Sequence, residues 1–553
     1  MSADRAEFET RCLSSLSKVF ADEPLNEPEV HLASALWNET FSFQVAYRST
    51  RLRKGVKAFA VGPLADTVTL RTVGLVPSEL PIYAQTDDDV LRRTPGLYPD
   101  PLFPAGEEGI PVLPDQWRSV WVCVEVKRSV PAGDHLIEVV FESGDGERLG
   151  SETFVLTVVA AEMPAQQLIY TNWFHTDCLA SHYGVEIWSE AHWGYIDRYI
   201  KTAAKHGMNM LLTPLFTPPL DTAVGGERPT VQLIDVEKRG DEYQFGFDKL
   251  TRWVEIASRH GIRYFEFSHL FTQWGAKHAP KVVARVDGER KRIFGWETDA
   301  ADPAYREFLT QFLKQLREYI EAHGLQDRSW FHVSDEPSMS HFDSYREASE
   351  FLRANLPGLP FFDALSEYSF YETGLVPRPV AANDHIESFI EHRVPDLWTY
   401  YCCGQDRDVS NRFFAFPSRR NRVIGTQLYK FQISGFLHWG YNFWYTQYSR
   451  RKVDPFRETD AGAAFPSGDA FVVYPGESEP VESIRLEVFC EALQDLRAMQ
   501  LLESLAGREA VLALLEEGLD RPLTFRDYPR DTAWLLDFRE RVNRKIAELV
   551  VAE

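Results

Sequence analysis

The chain has 553 residues, with 59 lysines and arginines against 82 aspartates and glutamates, which gives a formal net charge of −23 at pH 7. This length exceeds what one ordinary hydrophobic core supports and predicts two or three domains. The negative charge repels phosphate backbones, which argues against nucleic acid as a partner, and no apolar run approaches the length of a membrane span.

The chain start and the cysteines bear on location and on metals. The first 26 residues are mixed and charged, without the continuous apolar stretch of a signal peptide, so a cytoplasmic protein is expected. The six cysteines lack metal-ligand spacing, and the neighbours Cys402 and Cys403 follow an apolar run, which predicts a buried reduced pair. No phosphate-binding loop or zinc-helix motif is present. We therefore predict neither a cofactor nor a metal, and the oligomeric state stays open.

The N-terminal third divides into two textures. Apolar residues at helical spacing between Phe8 and Phe20 predict an amphipathic helix within an N-terminal segment, residues 1–29. Residues 30–160 instead alternate apolar and polar positions, which predicts a β-sandwich domain. Its clearest predicted strands are 40–47, 119–126, 135–141 and 150–158.

From residue 165 onward, strand patterns alternate with helix patterns. Eight short apolar runs read as strands, at 168–174, 208–213, 262–267, 329–335, 361–362, 380–382, 397–401 and 435–442. Eight strands with intervening helices favour a (β/α)8 TIM-type barrel over residues 165–505. Residues 506–553 then form a predicted C-terminal helical extension that packs outside the barrel.

The most informative local feature is the pair Asp335 and Glu336, which ends the apolar run of the fourth predicted strand and precedes Pro337. Adjacent carboxylates resist simultaneous ionisation, so one can stay protonated beside a charged partner. Glycoside cleavage needs that combination, an acid for the leaving oxygen and an anion for the developing positive charge. The alternative is a helix start, with Ser334 or Asp335 as the cap.

Other candidate residues follow the predicted strands. In a barrel, side chains at the carboxyl ends of the strands line the active site, and aromatic rings suit the apolar face of a sugar. Each such residue alone is more readily explained by packing than by substrate binding, so the hypothesis depends on their convergence. The candidate substrate-binding residues are Trp173, His175, His269, Trp274, Tyr401, Trp439, Asn442 and Trp444.

Several segments together resemble glycoside hydrolase family 123. They are Trp37–Gln44, Trp330–Pro337, Gly435–Trp444, Asp454–Pro455, Gly468–Gly476 and Ser483–Glu487. The resemblance covers nearly the whole chain, and the order and spacing of the segments make it specific. It also implies a substrate-binding role for Asp469.

The resemblance implies a retaining exo-β-N-acetylgalactosaminidase that acts on a glycan or glycoside by substrate-assisted catalysis, through an oxazoline intermediate. Asp335 is then expected to hold the acetamido N–H, and Glu336 to act as the general acid and later the general base. Two alternatives stay open. One is a glycosidase on another sugar, with Glu367 or Asp384 as a direct nucleophile. The other is a noncatalytic carbohydrate-binding protein.

Overall fold

The computed structural model describes residues 7–106 and 108–550. Its strands are β1 Phe8–Ser14, β2 Leu32–Trp37, β3 Glu39–Ser49, β4 Arg53–Val61, β5 Val68–Ser78, β6 Gly96–Pro104, β7 Ile110–Val112, β8 Arg118–Val126, β9 Gly133–Glu142, β10 Arg148–Glu162, β11 Ile169–Asn172, β12 Met210–Thr213, β13 Asp235–Arg239, β14 Glu242–Gly246, β15 Tyr264–Phe267, β16 Val282–Val286, β17 Glu289–Phe294, β18 Ser329–Phe331, β19 Asp363–Leu365, β20 Pro379–Ala382, β21 Trp398–Tyr400, β22 Gly435–His438 and β23 Glu482–Ser483. Its α-helices are α1 Thr176–Tyr183, α2 Glu190–Lys205, α3 Asp248–Arg259, α4 Pro303–Ala322, α5 Phe342–Asn355, α6 Ser369–Glu372, α7 Glu387–Glu391, α8 Ser418–Arg422, α9 Ile424–Lys430, α10 Ile484–Ala506, α11 Arg508–Glu516 and α12 Thr532–Val550.

The N-terminal sheet region, residues 8–162, consists of two sheets. One has the order β1-β3-β8-β5-β6-β23, and the other has the order β2-β10-β9-β4-β7. Alternate residues of both sheets meet in one buried cluster that includes Phe43, Val122 and Phe141. This is the outcome expected from the period-two patterns, since each strand buries one face and exposes the other. The short strand β23 comes from far along the chain and pairs with β6, so it joins this region to the rest of the molecule.

The predicted N-terminal helix is wrong over the described residues, because Phe8–Ser14 is the edge strand β1, antiparallel to β3. Phe8 and Cys12 lie four residues apart, and this spacing places them on one face of a strand as well as of a helix. Cys12 is fully buried, and Phe8 packs against Phe141 with ring centroids 5.6 Å apart. The ladder to β3 satisfies the backbone of a segment too short to be a stable helix alone. Residues 1–6 of that prediction lie outside the described residues.

The following α/β region, residues 169–506, contains two parallel sheets. Their orders are β11-β22-β21-β20-β19 and β12-β15-β18. Seven of the eight predicted strands overlap a strand of these sheets, whereas β19 begins at Asp363, one residue after the predicted strand 361–362. The two sheets are not closed into one barrel. Short backbone contacts bridge their edges. Phe331 N donates to Pro360 O and Phe362 N donates to Phe331 O, both at 3.0 Å, and Asn209 N donates to Tyr170 O at 3.1 Å. The molecule is therefore a mixed α and β protein with a sheet-rich N-terminal part.

Helix α4 illustrates how the sequence forms the outer elements of this region. The Asp302 side chain accepts hydrogen bonds from Ala304 N and Tyr305 N, and Pro303 occupies the first turn, where its missing N–H costs nothing. Its buried face consists of Tyr305, Phe308, Leu309, Phe312, Leu313, Leu316, Tyr319 and Ile320.

An additional sheet of order β14-β13-β16-β17 was not predicted from the sequence.

The C-terminal helices lie where the two regions meet. Helix α12 packs against β2 and β10 of the N-terminal sheet region, and α10 contacts both β6 and α9. The predicted extension is therefore helical, but its last described helix covers the first sheets of the chain. Residues 551–553 lie outside the described residues. Among the helices that the structure describes, none combines the length and apolar character needed to cross a membrane.

Candidate active site

A cavity of about 250 Å³ opens at the carboxyl ends of the parallel strands. It is lined by Trp173, Leu220, Asp221, Gln273, Trp274, Asp335, Glu336, Ala364, Tyr400, Cys402, Cys403, Leu437, Trp439, Gln447 and Phe465. A wider groove of about 650 Å³ runs along the additional sheet, beside Trp188, Lys249 and Arg285, away from these strand ends. The smaller cavity is the one that holds the adjacent carboxylates.

Asp335 and Glu336 follow β18 and keep part of their surface open to the cavity. Glu336 has a φ of +43°, in the left-handed region that non-glycine residues rarely adopt, and such strain concentrates at functional sites. The Tyr400 hydroxyl donates to Glu336 Oε1 at 2.8 Å and so fixes the orientation of this carboxyl group. Trp274 N donates to the Asp335 carbonyl oxygen at 3.0 Å. Among the described residues, the Asp335 carboxylate has no hydrogen-bond donor.

Both carboxyl groups are shifted toward their protonated forms. Burial, and next the Glu336 carboxylate, raise the pKa of Asp335 well above its ordinary value. Burial also raises the pKa of Glu336, which the Tyr400 hydroxyl partly offsets and the charge of Asp384 reinforces. Since two such neighbours resist ionising together, the pair keeps its last proton to a higher pH than an isolated carboxyl group would. The site can therefore supply an acid and an anion at once.

A charged histidine lies beneath the pair. His332 Nε2 is 2.6 Å from Glu266 Oε1, and its Nδ1 is 2.8 Å from Asp363 Oδ1, with all three side chains buried. Burial disfavours the imidazolium, but these hydrogen bonds outweigh that effect and raise the pKa of His332 to about 10. The positive charge of His332 in turn stabilises the anion of Asp335. Glu266 also accepts from Trp173 Nε1 at 2.6 Å, which orients that cavity-lining indole.

His269 stacks on His332, with ring centroids 4.1 Å apart, and both of its ring nitrogens are buried without a partner among the described residues. Burial, and then the charge of His332, lower the pKa of His269 well below its ordinary value. Nitrogens of the two histidines and an oxygen of Asp363 lie within 4.8 Å of one another, as in a potential cation site. A metal there would have to replace the protons through which His332 binds Glu266 and Asp363. That the protein needs no metal stays a prediction.

Trp439 forms another wall of the cavity, and a hydrogen bond to a residue on its far side fixes its orientation. Its Nε1 donates to Asp469 Oδ2 at 2.9 Å, and Asp469 Oδ1 lies 3.4 Å from His438 Nε2. Arg412 donates to His438 Nδ1 at 2.7 Å, which places the His438 proton on Nε2, facing Asp469. Burial raises the pKa of Asp469 to about 7, against the opposing effect of Arg412. Asp469 thus orients the indole and is separated from the cavity by it.

Of the predicted site residues, Trp173, Trp274, Trp439, Asp335 and Glu336 line the cavity. The others lie behind it: His175, His269, Tyr401, Asn442, Trp444 and Asp469 are all at most 2% exposed. Tyr401 donates to Asn421 Oδ1 at 3.0 Å in the core. Asn442 Oδ1 accepts from His175 N at 2.8 Å, a contact that joins two loops. Trp444 Nε1 donates to Val473 O at 3.2 Å.

Several cavity residues were missed. Tyr400, not Tyr401, faces the carboxylates, and strand alternation could have found it, since Trp398 and Tyr400 share the interior face of β21. Asp221, Gln273 and Gln447 come from loops without a recognisable motif. Cys402 and Cys403 line the cavity as free, half-buried thiols.

Comparison with known proteins places these observations in a family. Residues 173–502, more than half of the chain, match the model for "Glycoside hydrolase 123, catalytic domain". No curated protein sequence matches the chain.

Comparison with solved structures concerns the fold. A family 123 glycoside hydrolase from Clostridium perfringens, studied for glycolipid glycan hydrolysis, is similar over 99% of both chains, with a TM-score of 0.75 and 15% identity. A family 5 mannosidase from Rhizomucor miehei covers 60% of this chain and 93% of its own, with a TM-score of only 0.33 and 12% identity. The family match and the shared fold lead to one conclusion: the chain belongs to glycoside hydrolase family 123.

Proposed function

We propose that the protein is a retaining exo-glycosidase that removes terminal β-linked N-acetylgalactosamine, or a related N-acetylhexosamine, by substrate-assisted catalysis. The observation that carries the proposal is the adjacent pair Asp335 and Glu336 in a small aromatic cavity, with the pKa of both carboxyl groups raised. The sequence resemblance to β-N-acetylgalactosaminidases of this family supports the choice of sugar. The two parallel sheets serve as a (β/α)8-type scaffold that gathers the strand ends.

Substrate binding divides the roles within the pair. The acetamido N–H of the sugar donates to Asp335, whose carboxylate has no donor from the described residues, and this bond lowers its pKa. The shared proton then resides on Glu336, which Tyr400 orients. Glu336 protonates the glycosidic oxygen while the acetamido oxygen attacks the anomeric carbon. Glu336 next deprotonates the water that opens the oxazoline, so the configuration is retained.

The adjacency of the pair fits this route. A double displacement needs a nucleophile facing the acid across the sugar, about 5–5.5 Å away. Here neither carboxylate attacks carbon, so neighbouring positions suffice, and an intramolecular acetamido group replaces a large part of the entropic barrier. The cavity is below the usual range for a drug-sized ligand, which suits one terminal sugar and exo action.

The direct-nucleophile alternative is less well supported by the geometry. Neither Glu367 nor Asp384 lines the cavity. Glu367 accepts a hydrogen bond from Met339 N at 3.2 Å, and Asp384 is held by Gln405 Nε2 at 3.1 Å and His385 Nδ1 at 2.8 Å.

Aryl β-glycosides of N-acetylgalactosamine, N-acetylglucosamine and galactose test the proposal. We expect hydrolysis only where the 2-acetamido group is present, together with tight competitive inhibition by the matching thiazoline, which mimics the cyclic intermediate. Asp335→Asn should weaken that inhibition. Cleavage of the galactoside, or a covalent adduct of a 2-fluoro sugar on any carboxylate of the chain, would overturn the mechanism.

A further inference from the structure

A third carboxylate, Asp221, lines the same cavity as the adjacent pair. It follows β12 in the run Thr217-Pro-Pro-Leu-Asp221 and is not part of any motif. Asp221 Oδ2 accepts from Tyr448 N at 3.1 Å, whereas Oδ1 has no hydrogen-bond partner among the described residues and is not sealed from solvent. Burial raises the pKa of Asp221 to about 6, against the opposing effect of the hydrogen bond from Tyr448 N. One carboxylate oxygen is therefore free to accept a hydrogen bond from a bound molecule.

Gln273, next to Trp274, provides the complementary group. Gln273 Oε1 accepts from Asp221 N at 2.7 Å, which fixes the side-chain amide and its orientation. Its Nε2 is buried, in a side chain only 6% exposed, and has no partner among the described residues. A buried N–H group without an acceptor is costly, which makes an acceptor on a bound ligand favourable. Asp221 and Gln273 thus both line the cavity and are joined by a hydrogen bond, one with an unpaired acceptor oxygen and the other with an unpaired amide donor.

The backbone around this wall adopts uncommon conformations. Asp221, Trp274, Tyr448 and Ser449 have φ values of +39°, +56°, +60° and +53°. Ser449 Oγ donates to Asp221 O at 2.7 Å, and the Trp274 and Tyr448 rings meet edge to face, 6.0 Å apart. Residues held in sparsely populated conformations persist where the surroundings determine them, and they concentrate at ligand sites. Three loops are thereby fixed around one carboxylate.

We propose that Asp221 and Gln273 form a hydroxyl-recognition subsite that sets the specificity of the enzyme for its sugar. One ring hydroxyl of the substrate donates to Asp221 Oδ1 and accepts from Gln273 Nε2, while the exposed indole of Trp274 provides an apolar surface beside them. A hydroxyl group is both donor and acceptor, so it satisfies both groups at once, which neither a methylene nor an ether oxygen can do. The inference rests on the proposed function, since it assigns a polar sugar to the same cavity.

Aryl glycosides of N-acetylgalactosamine lacking the 3-, 4- or 6-hydroxyl test the proposal through kcat/KM. With the unmodified enzyme, we expect kcat/KM for one of the deoxy substrates to be about 10- to 100-fold lower than for the parent substrate. The missing hydroxyl of that substrate leaves buried polar groups unpaired. Asp221→Asn should lower kcat/KM for the parent substrate by a similar factor. In this variant, kcat/KM for the parent and for that deoxy analogue should differ by less than about threefold. Asparagine tolerates the left-handed backbone and still offers an acceptor to Tyr448 N, so the loop should be preserved.

Asp287→Asn is the matched control, because Asp287 also has a positive φ, +52°, but lies exposed in the β16–β17 turn. It should leave both the rate and the discrimination unchanged. Asp221→Gly, which removes the carboxylate without backbone strain, should reproduce the loss of discrimination. An equal loss by Asp221→Asn on all deoxy substrates, or no loss on any, overturns the subsite.

Failure of the proposed function gives a different result. If the enzyme cleaves the aryl glycoside of another sugar instead, deoxy analogues of that sugar replace those of N-acetylgalactosamine. The test is again whether Asp221→Asn reduces the difference in kcat/KM between the parent substrate and one deoxy analogue. If no glycoside is cleaved, calorimetric titration of N-acetylgalactosamine and its deoxy forms gives the answer from binding alone. In that case, equal affinities of the Asp221→Asn and unmodified proteins for the parent sugar overturn the subsite.

Discussion

The carboxyl group of Glu336 has a raised pKa and, among the described residues, a single orienting donor, the Tyr400 hydroxyl. We expect Glu336→Gln to lower kcat by about 10²–10⁴-fold on substrates with poor leaving groups, the usual contribution of a general acid. A nitrophenyl leaving group needs less protonation, so the decrease in kcat that Glu336→Gln causes should be smaller for nitrophenyl substrates. Glu367→Gln, outside the cavity, is the control and should leave the rates nearly unchanged. Equal losses on both leaving-group types would remove Glu336 from the role of acid.

The His332 imidazolium makes stability depend on pH. Its folded-state pKa of about 10 lies above the ordinary value of 6.5, so its stabilising effect is complete below about pH 6.5 and is lost as pH rises toward 10. Within this window we expect the free energy of unfolding to fall by up to about 1.4 kcal/mol per pH unit from this group. Urea unfolding of the protein and of His332→Gln measures it. In His332→Gln, the free energy of unfolding should fall less steeply with pH, whereas His392→Gln, at an exposed position, should show the same pH dependence as the unmodified protein.

At the scale of single elements, Gly435 determines how β22 lies beside β21. A Cβ atom built on Gly435 would come within 2.1 Å of the Trp398 ring, which is buried in the interior of the parallel sheets. We expect Gly435→Ala to destabilise the protein by about 1–3 kcal/mol, the usual cost of overpacking. Gly404→Ala is the control, because a Cβ there meets no atom within 4 Å. Thermal unfolding distinguishes them, and equal melting temperatures would contradict the packing argument.

The elements show what the sequence alone could predict. Strands with clear alternation, such as β8 and β10, follow their patterns, because one buried face dictates the period. Strand β1 was mistaken for a helix because its apolar spacing fits both periods. Asp221 was missed because its role depends on loops brought together from distant parts of the chain, which no local pattern records. The adjacent carboxylates were found because their chemistry is itself local.

At the scale of the whole molecule, several buried ion pairs join the two regions, among them the pair of Arg485 and Asp100. Arg485 of α10 donates from Nε to Asp100 Oδ1 at 2.8 Å and from a terminal nitrogen to Oδ2 at 2.9 Å, and Asp100 lies in β6. We expect Asp100→Asn to lower the free energy of unfolding by about 3–5 kcal/mol, because it leaves a buried cation uncompensated. Chemical denaturation measures this loss. Exposed Asp134→Asn serves as the control, and a similar small effect of both variants would argue against the pair.

The contacts of α12 also have a consequence for how the protein is made. Arg539 donates to Glu39 Oε2 at 2.7 Å, and Asn543 Nδ2 donates to Ser34 O at 3.1 Å, so the first sheets are covered by the last described helix. Roughly 370 residues separate the end of β10 from the start of α12. At about 5–20 residues per second, a ribosome needs on the order of 20–75 s to cross that distance. During translation, the nascent N-terminal sheets therefore lack these contacts, and the apolar side chains that Leu535 of α12 covers stay uncovered for that time.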